Sequence, residues 1–390
     1  MTALALSVLL LAAEPPAPDL KPLLAVGKEG AGQKEAAAAW KTLVATGPAA
    51  LVQTLKAFDG ASPAAANWLR AAVSAIADAE TAAGRKLPAD TLTGFVTDGT
   101  NTPPARRIAF ELLAAQDKPA ADKLLPGFLD DVSAELRRDA VAAKLAALGD
   151  NPAKADLVAL FAKARDKDQV DGITKKLEPL GETPDLPRHF GYVTEWALIG
   201  PFDGPKASGY AGKYGPDAGF DVAAKFPGKA GEVAWKPAQS ADKYGEIDLT
   251  RAVGKHKDAV AYAAAVLVAA AEIPCELRLN SPNALRVVLN GVELFAQEEY
   301  HHGSDHDQYV VRGGVLKPGE NVLVVKVCQN DQKEPWAQTW SFAARVCDRT
   351  GGRLPLKQVV TTDGKKQTVE PGALRPKSAE ELDAEKKEKK

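Results

Sequence analysis

From about Lys21 to Leu180, apolar residues recur at helical spacing. Leu51, Leu55 and Phe58 mark one such face, and Ile108, Leu112 and Leu113 another. Breaks at Gly47-Pro48, Ser62-Pro63, Pro103-Pro104, Lys118-Pro119 and Asn151-Pro152 predict helices of about 10 to 15 residues. After Pro184-Asp185-Leu186-Pro187 the period changes. Leu277 and Leu279 flank Arg278, Leu285, Val287 and Leu289 share a parity, and so do Trp340, Phe342, Ala344 and Val346. Asn290-Gly291 between two apolar runs predicts a hairpin, because both turn residues tolerate positive φ. Lys317-Pro318-Gly319-Glu320-Asn321 predicts a second turn, feeding a strand from Val322 to Cys328. Many short strands joined by polar turns predict an antiparallel sandwich rather than a parallel sheet. The fold class is therefore α then β.

The helical half carries a weak internal repeat. Arg70, Arg107 and Arg138 align with an Ala two places later each time, at separations of 37 and 31 residues, a period expected of stacked helix pairs. The stretch Leu129-Asp130-Asp131-Val132-Ser133-Ala134-Glu135-Leu136-Arg137-Arg138-Asp139-Ala140-Val141 resembles the second helix of HEAT-like repeats. An irregular helical bundle is the alternative. Trp40 and Trp68 are expected in its core.

In the β half, Trp196-Ala197-Leu198-Ile199-Gly200-Pro201-Phe202-Asp203 resembles the opening strand of galactose-binding-domain-like sandwiches of bacterial secreted proteins. Ala261-Tyr262-Ala263, Asn280 to Gly291, Leu316 to Lys326, and Trp340-Ser341-Phe342 with Arg345-Val346 are similar to later pieces of that fold, in the same order. The resemblance spans about Tyr192 to Asp348. It implies a jelly-roll sandwich that most often binds carbohydrate, sometimes with a structural Ca²⁺; other members bind nothing known and pack on a neighbouring domain. The expected organisation is a signal peptide and linker over 1–20, a HEAT-like α-solenoid over 21–183, a galactose-binding-like antiparallel sandwich over 190–350 and a polar charged tail over 351–390. The Pro-containing segment from Gly181 to Pro187 is expected to be an exposed linker.

Composition narrows the function. Lys+Arg 49 against Asp+Glu 51 leaves a net charge of −2, which argues against nucleic acid as a partner. Leu4 to Ala13 is apolar and uncharged but too short to span a bilayer. It suits the apolar core of a signal peptide, although no Lys or Arg precedes it and Leu11 stands where a small residue is expected. The reading is export to the periplasm or cell surface, with a buried first helix as the alternative and no membrane span in the mature chain.

Chemistry concentrates in Tyr300-His301-His302-Gly303-Ser304-Asp305-His306-Asp307-Gln308-Tyr309. Three readings stand side by side: a structural loop, a glycan or peptide contact made by His301, His302, Asp305 and Tyr309, and a metal site drawn from His301, His302, His306, Asp305 and Asp307. The loop is expected at an end of the sandwich, with Trp336 as aromatic neighbour. Trp196 and Trp340 are expected in the core. Arg278 and Arg286 are expected on a sheet face, solvated by default. With Leu323, Val325 and Val327 inward, Cys328 points outward, and so does Cys347. A Cys328–Cys347 bridge and a buried free Cys275 are expected.

No nucleophile elbow, P-loop, Rossmann fingerprint or paired zinc-ligand cysteines occur. The expected function is an exported, non-enzymatic binding protein whose sandwich recognises carbohydrate, without a cofactor. The alternative is a scaffold that docks another protein through its helices and takes no small ligand. A weaker third reading is a metal-dependent hydrolase built on His301, His302 and His306.

Overall fold

A computed structural model describes residues 18–362 and 365–369. The apolar run at Leu4 to Ala13 and the charged end of the chain from 370 lie outside the described residues. The chain forms two compact units, Met1–Asp150 and Asn151–Lys390.

The first unit is helical throughout its described part. Its longest helix, Pro63–Ala82, starts where the Ser62 hydroxyl accepts the Ala65 N–H at 3.2 Å, with Pro63 in the first turn where no N–H is needed. Leu69, Ala72, Val73 and Ile76 share one buried face, and small residues such as Ala65, Ala105 and Ala109 let neighbouring helices approach. Asp131 organises the turn before helix Ala134–Ala147. Its carboxylate receives both Nη atoms of Arg106, at 2.8 and 2.6 Å, while its carbonyl receives Arg137 Nη1 at 2.7 Å. The buried arginines are thus Arg106 and Arg137, each one place before the aligned Arg107 and Arg138.

The second unit opens with helices Lys154–Phe161, Lys167–Leu177 and Leu186–Phe190. Its strands are β1 (Glu195–Asp203), β2 (Lys225–Gly228), β3 (Gly231–Ala234), β4 (Lys236–Gln239), β5 (Ile247–Asp248), β6 (Ala259–Ala269) and β7 (Ile273–Asn280). They continue with β8 (Ala284–Leu289), β9 (Val292–Gln297), β10 (Tyr309–Leu316), β11 (Gly319–Gln329), β12 (Ser341–Cys347), β13 (Lys357–Thr362) and β14 (Lys365–Val369). An eight-stranded sheet runs β14-β13-β6-β11-β8-β9, with β1 on β6 and β4 on β1. A four-stranded sheet runs β10-β7-β12-β5, and β2 pairs with β3. All these ladders are antiparallel. The two larger sheets bury one core between them: Ala261, Leu285, Val287, Leu323 and Val325 from one side, Leu277, Leu279, Trp340, Phe342 and Val346 from the other. Apart from Ala261, strand parity places each of these residues correctly, and Trp196 joins them as expected.

Three expectations need correction. The break between compact units falls at Asp150/Asn151, not in the Pro-containing segment 181–187. That segment lies inside the second unit because Leu186, Pro187 and Phe190 are buried there. Residues 351–362 and 365–369 are not tail: β13 pairs with β6 and β14, and Leu356 enters the sandwich core. The cysteines are all free. Cys328 and Cys347 do point outward, but from opposite sheets, so the whole sandwich core separates them. Both are buried under covering segments, and burial pushes their thiols up to about 12 and about 11.

Candidate functional site

The loop between β9 and β10 crosses from one sheet to the other, which sets it at an end of the sandwich. Folding uses most of its chemistry. Asp307 accepts Arg345 on both oxygens and Arg278 Nη1 at 2.9 Å, and Arg278 also holds Glu276 at 3.0 Å. Arg345 further donates to the carbonyls of Phe190 and Gly351, at 3.0 and 2.9 Å, and is 1% exposed. Burial would raise the Asp307 carboxyl, but Arg345, His306 and Arg278 outweigh it and bring it down to about 2. Arg278 is therefore a member of a buried ion network rather than a solvated charge.

His306 turns inward too, its Nδ1 2.8 Å from the Tyr192 hydroxyl and its ring against Phe190 and Tyr244. The metal reading fails on this geometry. Among the described residues no three His, Cys, Asp or Glu side chains gather as a metal site needs, and Asp307 is already neutralised by two guanidinium groups. Among the described residues no such group gathers for the Ca²⁺ implied by the resemblance either.

The predicted ligand set is split as well. His301 accepts Gln308 Nε2 at 2.6 Å and, with Tyr300 and Trp336, lines a depression of about 10 Å³ beside Asn283, Gln329 and Asn330. That space holds about one water. Tyr309 packs its ring on Phe295, 4.9 Å between centroids. His302 and Asp305 are exposed. Trp336 is 37% exposed, so it does stand at the rim.

The larger concavity lies elsewhere, on the outer face of the eight-stranded sheet. It has a volume of about 470 Å³. Val288, Val322 and Val324, all half-buried, form its floor on β8 and β11, and Phe220 stands at its wall. The segment 204–220 forms that wall and is fixed tightly to the sheet. Gly209 and Gly215 have no room for a side chain: a Cβ would meet Val260 at 2.6 Å and the Phe226 ring at 2.1 Å. Lys326 on β11, 3% exposed, donates to the carbonyls of Tyr210 and Gly212 at 3.1 and 2.5 Å. Its ammonium also lies 5.1 Å from the Tyr214 ring centroid and 4.0 Å from Asp217. Burial pushes Lys326 below the ordinary lysine value, against the pull of Cys328 and Asp217.

Asp217 receives the Tyr262 hydroxyl and the Tyr214 N–H on the same oxygen, Oδ2, each at 2.8 Å. Burial and the neighbouring Asp217 hold the Tyr262 phenol far above its usual value, so it remains a donor. Across the cleft Arg286 binds Glu293 through Nε at 2.8 Å and Nη2 at 2.7 Å. Sequence reasoning put Arg286 on a sheet face but missed the cleft. Its wall comes from a segment without periodicity, and its floor from half-buried valines that alternate with the core residues of β8 and β11.

The chain matches no family model and no curated protein. Two solved structures match parts of it. One is an anti-sigma factor domain-containing protein, 11% identical over 46% of each chain, with a TM-score of 0.23. The other is a GH31 alpha-xylosidase from Xanthomonas citri, 10% identical over 40% of this chain and 16% of that one, with a TM-score of 0.18. The chain thus spans less than half the length of either. Similarity at this level carries no functional argument.

Proposed function

We propose that this chain is an exported, non-enzymatic binding protein whose HEAT-like helical unit accompanies a galactose-binding-like sandwich, and that the sandwich takes a carbohydrate in the sheet-face cleft. The observation that carries the reading is the cleft itself. Concave sites with an apolar floor and a few fixed polar groups are where small ligands bind. Here the polar groups are held in place before any ligand arrives: Asp217 by Tyr262 and Tyr214, Arg286 by Glu293, and the wall by Lys326. Such preorganisation lowers the entropic cost of binding. Among the described residues no helix is long and apolar enough to cross a membrane.

The test is a glycan array probed with the full-length chain. Reproducible, saturable binding to a defined set of sugars is expected. Failure to bind any glycan on the array would contradict the reading and leave protein docking as the function.

A further inference from the structure

We infer that the cleft selects an uncharged, hydroxyl-rich sugar and discriminates against uronates and sulfated glycans; this rests on the reading of the cleft as the ligand site. The charges of its lining are paired. Lys326 lies 4.0 Å from Asp217, and Arg286 is 2.7 Å from Glu293. Lys213, the remaining charge in the lining, sits exposed at the rim, where solvent and salt screen it. An anionic ligand entering the cleft finds Lys326 and Arg286 each already paired with a carboxylate. A cationic ligand finds each carboxylate already bound to a cation. Either would lose its hydration without gaining a counter-charge, which is costly.

The hydrogen-bond inventory specifies what fits instead. Asp217 takes both of its protein donors on Oδ2, and Glu293 takes both Arg286 nitrogens on Oε2. Among the described residues, Asp217 Oδ1 and Glu293 Oε1 receive no protein donor. A carboxylate oxygen only accepts, so the ligand must bring hydroxyl or N–H groups without a full charge. Arg286 Nη1 is the complementary donor for a ligand hydroxyl oxygen. The Val288, Val322 and Val324 floor takes the C–H face between them. A neutral pyranose offers this combination of donors, acceptors and one apolar face.

Titration of the full-length chain with neutral galactose, glucose and xylose oligosaccharides, and with oligogalacturonate and heparin fragments, tests the inference at low and high NaCl. The expected result is binding to at least one neutral series, with affinity changing less than about twofold across the salt range, and no measurable binding of the acidic series. Asp217→Asn with Glu293→Gln should weaken neutral-sugar binding at least about tenfold, roughly 1.4 kcal/mol. If the double variant melts early, Glu293→Gln alone carries the test, since that pair is exposed. Preference for an acidic series with steep salt dependence overturns the inference and leaves the carbohydrate reading standing. Neutral binding that ignores both substitutions overturns the placement in the cleft. No binding to any of these sugars removes the carbohydrate reading itself.

Discussion

His306 lies among Phe190, Tyr192 and Tyr244, with Nδ1 against the Tyr192 hydroxyl and Nε2 3.6 Å from Asp307. Burial drives its imidazole down to about 4, against the pull of Asp307, and burial likewise brings His189 down to about 4. Both are therefore neutral when folded. Unfolded, they return to about 6.5. Between those values the unfolded chain binds more protons, so stability falls as pH drops from about 6.5 to about 4. Each histidine contributes at most about 3 kcal/mol to that loss. Asp307, held near 2 by Arg345 and Arg278, adds its own loss only below about pH 4. Urea unfolding of the second unit at pH 7 and pH 4.5 should show the decline, and His306→Gln, which keeps a partner for Tyr192, should remove about half of it. A pH-independent midpoint would contradict the buried neutral imidazoles. The sequence showed a loop dense in His and Asp. It could not show which of those groups turn inward, because their partners, Arg345 and Tyr192, are remote in the chain.

The β8–β9 hairpin was legible in two residues: Asn290 and Gly291 adopt φ of 52° and 79°, as the turn demands. The β13–β14 hairpin was not, since its Lys-rich composition reads as solvent-exposed tail. The wall segment 204–220 was illegible for another reason. It has neither helical nor strand period, and its position depends on a lysine more than a hundred residues further on. Lys326 reads from sequence as an ordinary outward strand residue, yet its ammonium pins the carbonyls of Tyr210 and Gly212. Lys326→Met should leave those carbonyls without their donor, at a cost of about 1–3 kcal/mol, and raise amide hydrogen exchange across 204–220. Lys326→Arg should restore part of the protection. Unchanged exchange in Lys326→Met would show that glycine packing alone holds the wall.

At the scale of the molecule, the change from helical to alternating pattern located the sandwich well but not the unit that contains it. Helices from Lys154 to Phe190 belong with the strands through contacts that no local pattern announces. Arg345 on β12 donates to the Phe190 carbonyl at 3.0 Å, and the Tyr244 hydroxyl is hydrogen-bonded to Asp171. The two-sheet core was readable because parity alone defines it. The cleft was not, because it arises where an irregular segment happens to cover one sheet face. Binding of the tightest neutral oligosaccharide from the array, compared across two full-length variants, separates the cleft from the loop as the ligand site. Val324→Trp fills the cleft from an outward-facing strand position, whereas His302→Ala with Asp305→Ala strips the exposed loop at the sandwich end. Val324→Trp is expected to abolish binding without lowering the melting temperature, and the loop variant to bind as the unaltered chain does. Binding that survives Val324→Trp and disappears in the loop variant would contradict the cleft as the ligand site.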